Sequence, residues 1–457
     1  MLLEFVAQSS QSEVLGPANT ERLVNLFPEP VPEGGRARFL LRPVLAMQQW
    51  RALSGIFVRA LEAVNDTDGS GNVTEALFAV SGGQLHEVSD PPQALGAVVD
   101  DPQTTIAGHD GAVTVVAGGR YYLWDGATLT EPTPGAFSDF GSVEFLGGYT
   151  ILTERGGRRF QWSALGDPDD LPGLNFATAE SRDDALLRAV AVNGNLWLFK
   201  TGSIEIWART GEASEEAFSL LPGGVIETGL LGFGLIAKVP GGAFFVGSDG
   251  VCYLTAGAQL QPVSRTPVEY AIAAEAPTHC FYYEHEGHKF CVVRFRNRPA
   301  WVLDIATGMW HERASGEGAW LATSAVRYAG AWRVGLDGGR VDTLVRAGSD
   351  ADGPLVRQAV SRTLFLTGER FRVSRVELFG RIGRSDLGRP AQLMVQFSRD
   401  GGETWGFEQW RSMGDLGAYE ARMVLRALGQ CRSLTARLRV TDPADLSLWS
   451  AAAVEVA

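Results

Sequence analysis

The chain has 457 residues, 53 acidic against 40 basic, with a formal net charge of −13 and 45% apolar residues. That length holds two domains and buries enough surface to fold without staples, and the acidic excess argues against a nucleic-acid-binding surface, which needs a basic stripe. The 55 glycines and 21 prolines fit a protein of strands and turns.

The four cysteines, Cys252, Cys280, Cys291 and Cys431, show no CxxC and no framework spacing. They read as reduced core residues of a protein made in the cytosol. Met1 to Glu4 lacks the basic start and long apolar run of a secretory leader, and no apolar run reaches membrane-spanning length. No membrane association is expected.

Residues 1 to 35 read as an extended N-terminal arm. Val24 to Phe27 is one short strand; Pro28, Pro30 and Pro32 then hold the chain extended until Gly34-Gly35. Such a segment adds a strand to the C-terminal domain or reaches a neighbouring subunit, and its loss is expected to impair assembly more than folding. Ile56 to Val64 is the next strand, followed by the loop Asn65 to Asn72. In that loop Asp66, Asp68, Ser70, Gly71 and Asn72 match positions of a calcium-binding loop. Leu77 stands where the bidentate glutamate belongs and flanking helices are missing, so a polar hairpin loop is the favoured reading.

Seven hairpins then follow one another. Ala76–Val80 turns into Leu85–Val88, Val113–Val116 into Tyr121–Trp124, Tyr149–Leu152 into Phe160–Trp162, and Leu196–Phe199 into Ile204–Trp207. Ala243–Val246 turns into Val251–Leu254, Lys289–Val293 into Trp301–Leu303, and Ala331–Val334 into Val341–Leu344. Aromatic and β-branched residues favour the strands, and glycine pairs favour the turns, Gly202 being expected at positive φ in one of them. The first strands centre near 78, 115, 151, 197, 245, 291 and 332. A repeat of about 40–45 residues with several strands each marks a propeller blade. Residues 36 to 350 therefore read as a seven-bladed β-propeller; a six-bladed ring with one irregular hairpin, or a sandwich meander, are the alternatives.

Helical periodicity is sparse, with Asp183 to Val192 the one sizeable candidate. Ala164 to Ala179 is a long loop, and Leu220 to Ala237 reads as a buried strand or an exposed apolar loop used in assembly. A polar linker from Gly348 to Pro354 marks a boundary. Beyond it, Arg372–Phe379, Gln392–Phe397, Arg422–Leu425, Leu434–Val440 and Leu446–Val456 read as the strands of an antiparallel β-sandwich over 351 to 457. The fold class is thus all-β: arm, propeller, sandwich.

Ser398, Asp400, Gly402 and Trp405 form an Asp-box, S-x-D-x-G-x-T-W, a structural hairpin also found in sialidases. Asp400 can cap turn amides and Gly402 can take positive φ. The box occurs once and outside the repeats, so neither a sialidase-like glycosidase nor a carbohydrate-binding propeller is the first reading. The carboxylate pairs Asp169-Asp170 and Asp183-Asp184 mark no cleft of the kind glycosidases need. Glu284 to His288 lacks HExxH spacing and reads as a polar hairpin tip. No catalytic residue, cofactor or metal is assigned.

Several stretches resemble the packaged-DNA stabilisation proteins of short-tailed bacteriophages, also called tail-hub or head-completion proteins. They are Arg22–Glu29, Val58–Leu61, Phe176–Glu180, Leu196–Gly211 and Phe397–Gly402, followed by the closing strands to Val456. The resemblance implies a structural, non-enzymatic virion protein assembled in the host bacterial cytoplasm. It implies a hexameric hub in the viral tail, below the portal and its adaptor ring, which is the head-tail connector. That hub closes the DNA-filled head, holds a tail fibre or spike and a plug or needle, and lets genomic DNA pass its lumen without sequence-specific binding.

Overall fold

The computed structural model describes residues 2–11, 19–67, 73–109, 111–212, 216–366, 369–385, 387–414 and 420–456. All seven hairpins pair antiparallel, with Val80 opposite Leu85, Val115 opposite Tyr122, Ile151 opposite Trp162, and Trp197 opposite Ile206. Phe245 faces Tyr253, Val292 faces Val302, and Val334 faces Asp342. Each hairpin is the middle of a four-strand up-and-down unit. Five units are contiguous in sequence and stand free, over residues 58–97, 105–130, 140–178, 186–226 and 236–262. A sixth free-standing sheet joins Ala322–Tyr328, Ala331–Leu336 and Arg340–Val345 to Ala46–Ala52 from the N-terminal side. The strands His279–His285, His288–Arg294, Ala300–Asp304 and Met309–Arg313 follow the same order, but their sheet continues into the second domain. The free-standing sheets are blades of a β-propeller.

Neighbouring units bury their faces against each other. Val80, Val115 and Tyr122 join the first two; Val116, Phe140 and Leu152 the next two; Phe160, Trp162, Leu198 and Phe218 the third and fourth. Trp197 and Phe199 pack on Phe245 of the following unit, and Val58, Leu77 and Val341 close the ring. Because both faces are covered, middle strands are apolar without alternation, as in Leu196–Phe199. The closing strand Ala46–Ala52 sets Met47 opposite Leu344 and Gln48 opposite Thr343. At this seam the backbones touch: a Cβ on Gly82 would lie 2.8 Å from the Gly55 Cα, and one on Gly339 would lie 2.0 Å from the Gly55 carbonyl oxygen. A side chain at any of the three forces the seam apart.

Some local expectations change. Leu186–Val192 is the first strand of the fourth blade, not a helix, because its alternate residues pack on Asn195–Lys200. Among the described residues the α-helix is at Thr266–Ala274, with Pro267 in its first turn. Gly202 is not among the positive-φ residues; its N–H is held by the Asp184 carboxylate at 2.8 Å instead. In the 220–237 stretch, Leu220 and Val225 are exposed on a blade's outer strand, whereas Leu230 and Leu235 are buried.

The second domain is a β-sandwich. One sheet runs Leu26–Pro30, Phe39–Pro43, Ala444–Val456, Phe371–Ser385 and Ala421–Cys431, with Leu2–Glu4 also on Ala444–Val456. The other holds Arg357–Val360, Ser433–Val440, Gln392–Ser398 and Gln409–Ser412. Phe5, Val6, Leu23 and Leu26 lie in the core between them, with Val376, Leu393 and Leu438. The N-terminal segment is therefore extended, and it is built into the sandwich. The chain leaves the sandwich only after Pro43, so the propeller starts at Ala46 rather than at residue 36. Proline spacing showed the extension but not its pairing with Phe39–Pro43, which in turn lies on Ala444–Val456.

Arg22–Val24 welds the domains. It pairs parallel to Met309–Arg313 and antiparallel to Arg357–Val360, which makes one continuous sheet from propeller to sandwich. Asn25 follows at φ 54, fully buried. Its amide nitrogen donates to the carbonyls of Ala314 at 3.1 Å and Val356 at 2.8 Å, and its side-chain oxygen accepts the Ala314 N–H at 3.0 Å. Arg22 makes a two-pronged pair with Glu312 at 2.8 and 2.6 Å.

Truncating residues 1 to 35 removes these core residues and strands. The truncated chain is expected to lose the cooperative unfolding transition of the sandwich, read by calorimetry, and a preserved two-domain melt would contradict this packing.

Candidate functional site

The first strands of the blades meet around the propeller axis and enclose a cavity of about 360 Å³. Apolar side chains point between blades, so the axis receives what cannot be packed there. Arg59 and Glu62 come from the first blade, Glu144 from the third, Arg188 from the fourth, Lys238 from the fifth, and His279 from the strand His279–His285. Lys238 Nζ donates to Glu144 at 2.8 Å. The Lys238 side chain lines this half-open cavity and is 54% exposed. Arg59 pairs outward with Asp100 at 2.7 Å. The Arg188 guanidinium lies 5.5 Å over the Phe233 ring, and its buried Nε has no acceptor among the described residues.

Burial raises the Glu62 carboxyl to about 7, against a lesser pull from Lys238. Burial, together with the charges of Arg294, Arg59 and Arg188, lowers His279 to about 4. A polar cavity of this kind can hold water or a small charged ligand. Sequence reading missed these residues because they are one or two charges scattered in the first strands of different units. The recoverable signal is a charged residue in the first strand of successive repeats.

A second polar cluster holds blades together. Lys200 is fully buried, and its Nζ lies 2.7 Å from Asp184 and 3.4 Å from Glu205. It also donates to the carbonyls of Ala179 at 3.0 Å and Arg182 at 2.6 Å. Glu205 accepts from the Ser181 N–H at 3.0 Å and the Trp207 indole at 3.1 Å. Trp207 in turn packs edge-on to Phe160 of the preceding blade at 5.0 Å.

The remaining candidates fall apart spatially. Asp183 pairs with Arg158 at 2.8 Å, while Asp184 serves Lys200. At the 284–288 tip, His288 sits between Asp304 at 2.8 Å and Glu29 at 2.9 Å, which raises its pKa mainly through the Asp304 hydrogen bond. That tip is thus part of the domain junction. Of the calcium-loop candidates, Asp66 is the penultimate residue of the strand Val58–Thr67, and Asp68, Ser70 and Asn72 lie outside the described residues. Among the described residues no cluster of three His, Cys, Asp or Glu forms a metal site, and no helix is long and apolar enough to cross a membrane. All four cysteines are buried free thiols.

In the Asp-box, Ser398 Oγ donates to Asp400 at 2.6 Å and accepts the Gly402 N–H at 2.8 Å; Gly402 has φ 95. Asp400 accepts the Thr404 N–H at 3.0 Å, and these bonds, Ser398 first, hold its carboxyl down at about 2. Arg437 stacks 4.4 Å over Trp405. Both Asp400 bonds close the hairpin on itself.

Two family models match the chain: Bacteriophage P22 Gp10, beta-propeller, over residues 20–344, and Bacteriophage P22 Gp10, beta-sandwich, over residues 356–457. A search of curated proteins returned no match. Among solved structures, the computationally designed Ika8 protein is 12% identical, covering 66% of this chain and 99% of its own, with TM-score 0.43. BBS1N in complex with ARL6DN is 12% identical, covering 66% and 98%, with TM-score 0.44. BamB from Moraxella catarrhalis is 14% identical, covering 70% and 97%, with TM-score 0.40. Likeness at that level says nothing about function. The chain belongs to the Gp10 family of phage stabilisation proteins: it is a structural, non-enzymatic component of the virion tail, a tail-hub or head-completion protein.

Two outcomes follow from the buried charges. Lys200→Ala leaves Asp184 and Glu205 without their cation and is expected to cost about 3–5 kcal/mol of stability, read by urea unfolding. Glu62 holds its proton more tightly folded than unfolded, so its contribution falls as pH rises from the ordinary glutamate value of 4.5 through about 7. Glu62→Gln should therefore raise the melting temperature near pH 8, with the gain vanishing toward pH 4.5; an equal shift at both pH values would refute the assignment.

Proposed function

We propose, starting from membership of that family, that this chain is one protomer of a closed ring, a homohexamer, seated below the portal and its adaptor ring. In that place the ring closes the filled head and carries tail fibres or spikes and a plug or needle. The observation that carries this reading is the pair of family matches over 20–344 and 356–457, joined through one continuous sheet at Arg22–Val24. A hub bears load between the capsid and its appendages, and a hydrogen-bonded sheet across the domain junction transmits force without a hinge.

Within the protomer we count the set His279–Arg313 as the seventh blade. Its support is that His279, Cys280, Phe281 and Tyr282 line the axial cavity beside the first strands of the free-standing sheets. The functional division is then an N-terminal segment that belongs to the sandwich through Pro43, the propeller from Ala46 to 350, and the sandwich 351–457, with the Asp-box residues Ser398, Asp400, Gly402 and Trp405 shaping one sandwich edge. No cofactor or metal is assigned to any of them, Asp66 and its loop included.

Genomic DNA passes the ring's lumen without sequence-specific contact. The 53 acidic against 40 basic residues support an acidic or neutral lumen, with retention by a plug rather than by affinity. Arg155, Arg158 and Arg159, basic residues near one hairpin, are each paired within the chain to Asp101, Asp183 and Glu154. Exposed Leu165, Leu174 and Phe176 on one blade and Phe407 and Trp410 on the sandwich supply apolar area for neighbours.

The test is mass measurement of purified protein with its adaptor, and duplex-DNA binding at physiological salt. A sixfold ring without micromolar DNA affinity is expected. A monomer that never joins the adaptor would refute the hub position; tight binding with a steep salt slope would refute the non-gripping lumen.

A further inference from the structure

The axial cavity is rich in hydrogen-bond donors. Its cations come from separate strands: Arg59, Arg188, Lys238 and, exposed near the end of Ala322–Tyr328, Arg327. Lys238 is neutralised by Glu144 at 2.8 Å, and Arg59 is drawn outward by Asp100 at 2.7 Å. Arg188 feels the charges of Glu144 and Glu62 but has no ion pair at hydrogen-bond distance among the described residues. Its Nε is buried without an acceptor, and its Nη1 reaches the Phe233 carbonyl at 3.5 Å, the limit of a hydrogen bond. His279 Nδ1 is also buried without a partner. A desolvated guanidinium with an unfilled donor is costly, and an oxygen anion that fits its planar fork relieves that cost.

Glu62 is the group that should repel an anion. Burial holds its proton up to about pH 7, so near neutrality it can present an O–H as a further donor. Arg294, Arg59 and Arg188 add to burial in keeping His279 neutral, so the field at that wall is positive. The cavity, at about 360 Å³, admits a small oxyanion and excludes a nucleic acid strand.

The geometry points to a small-oxyanion site on the propeller axis, in which the Arg188 guanidinium is the principal ligand-binding group for a phosphate or a short carboxylate. The anion would add a tie among first strands already joined by bonds such as Lys238 to Glu144 at 2.8 Å. Such a site is independent of the hub's position in the virion, and its test does not depend on assembly.

The experiment is calorimetric titration of the full-length protein with inorganic phosphate and, separately, with malonate, at pH 6.5 and constant ionic strength set by chloride. One saturable site per chain is expected for at least one probe, and the tighter of the two identifies the anion class. Arg188→Gln should weaken it tenfold or more. Glu62→Gln, which keeps the donor and removes the residual negative charge, should strengthen it severalfold and decides the matter if Arg188→Gln does not fold. Absence of saturable binding for both probes, or affinity unchanged in the folded variants, overturns the proposal.

Discussion

Every blade has two apolar faces, and only a closed ring covers both. A four-stranded sheet on its own leaves both faces in water, and an open stack leaves its two outermost faces bare. Closure therefore falls to whatever strand completes the last sheet. In this chain it is Ala46–Ala52, which reaches across from the N-terminal side to Arg340–Val345. The crowding of Gly55, Gly82 and Gly339 records how tightly that seam is drawn. Burial across the ring is then mutual: Trp197 and Phe199 have a core because the next blade supplies Phe245.

The same N-terminal segment performs a second closure. Before reaching the propeller it has passed through both sheets of the sandwich and supplied the strand between the domains. Asn25 satisfies three buried backbone groups from 314 and 356 while turning the chain from one sheet to the other. Its positive φ explains an asparagine there, since its short amide tolerates the left-handed region better than other side chains that could reach those groups. The domains are consecutive along the sequence yet interlocked in space.

Charge is distributed by the same geometry. The chain is acidic overall, and among its buried charges are the Lys200 cluster between blades, the His288 junction and the axis. In the first two, each cation meets carboxylates. On the axis the radial convergence of strands brings Arg59, Glu62, Glu144, Arg188 and Lys238 together without full pairing. There Arg188 Nε and His279 Nδ1 are buried without partners among the described residues.

Local chemistry along the sequence determined the hairpins, their repeat and the strands of the sandwich. Each is written in residues close to one another: glycine turns between aromatic and β-branched runs, and alternation from Arg372 to Phe379. The Asp-box also closes on itself, within eight residues. What only the tertiary structure decided involves partners that local spacing does not name, many of them hundreds of residues apart. Pro28 and Pro30 announce an extended segment, but not that it lies on Phe39–Pro43 in the sandwich sheet. Leu186–Val192 carries spacing compatible with a helix until Asn195–Lys200 supplies a pairing edge. Glu62 and Arg188 look like isolated charges in apolar strands; they become one site because ring closure sets a fixed radius at which first strands meet. Periodicity encodes which face of an element is buried, and only closure of the ring determines what that face is buried against.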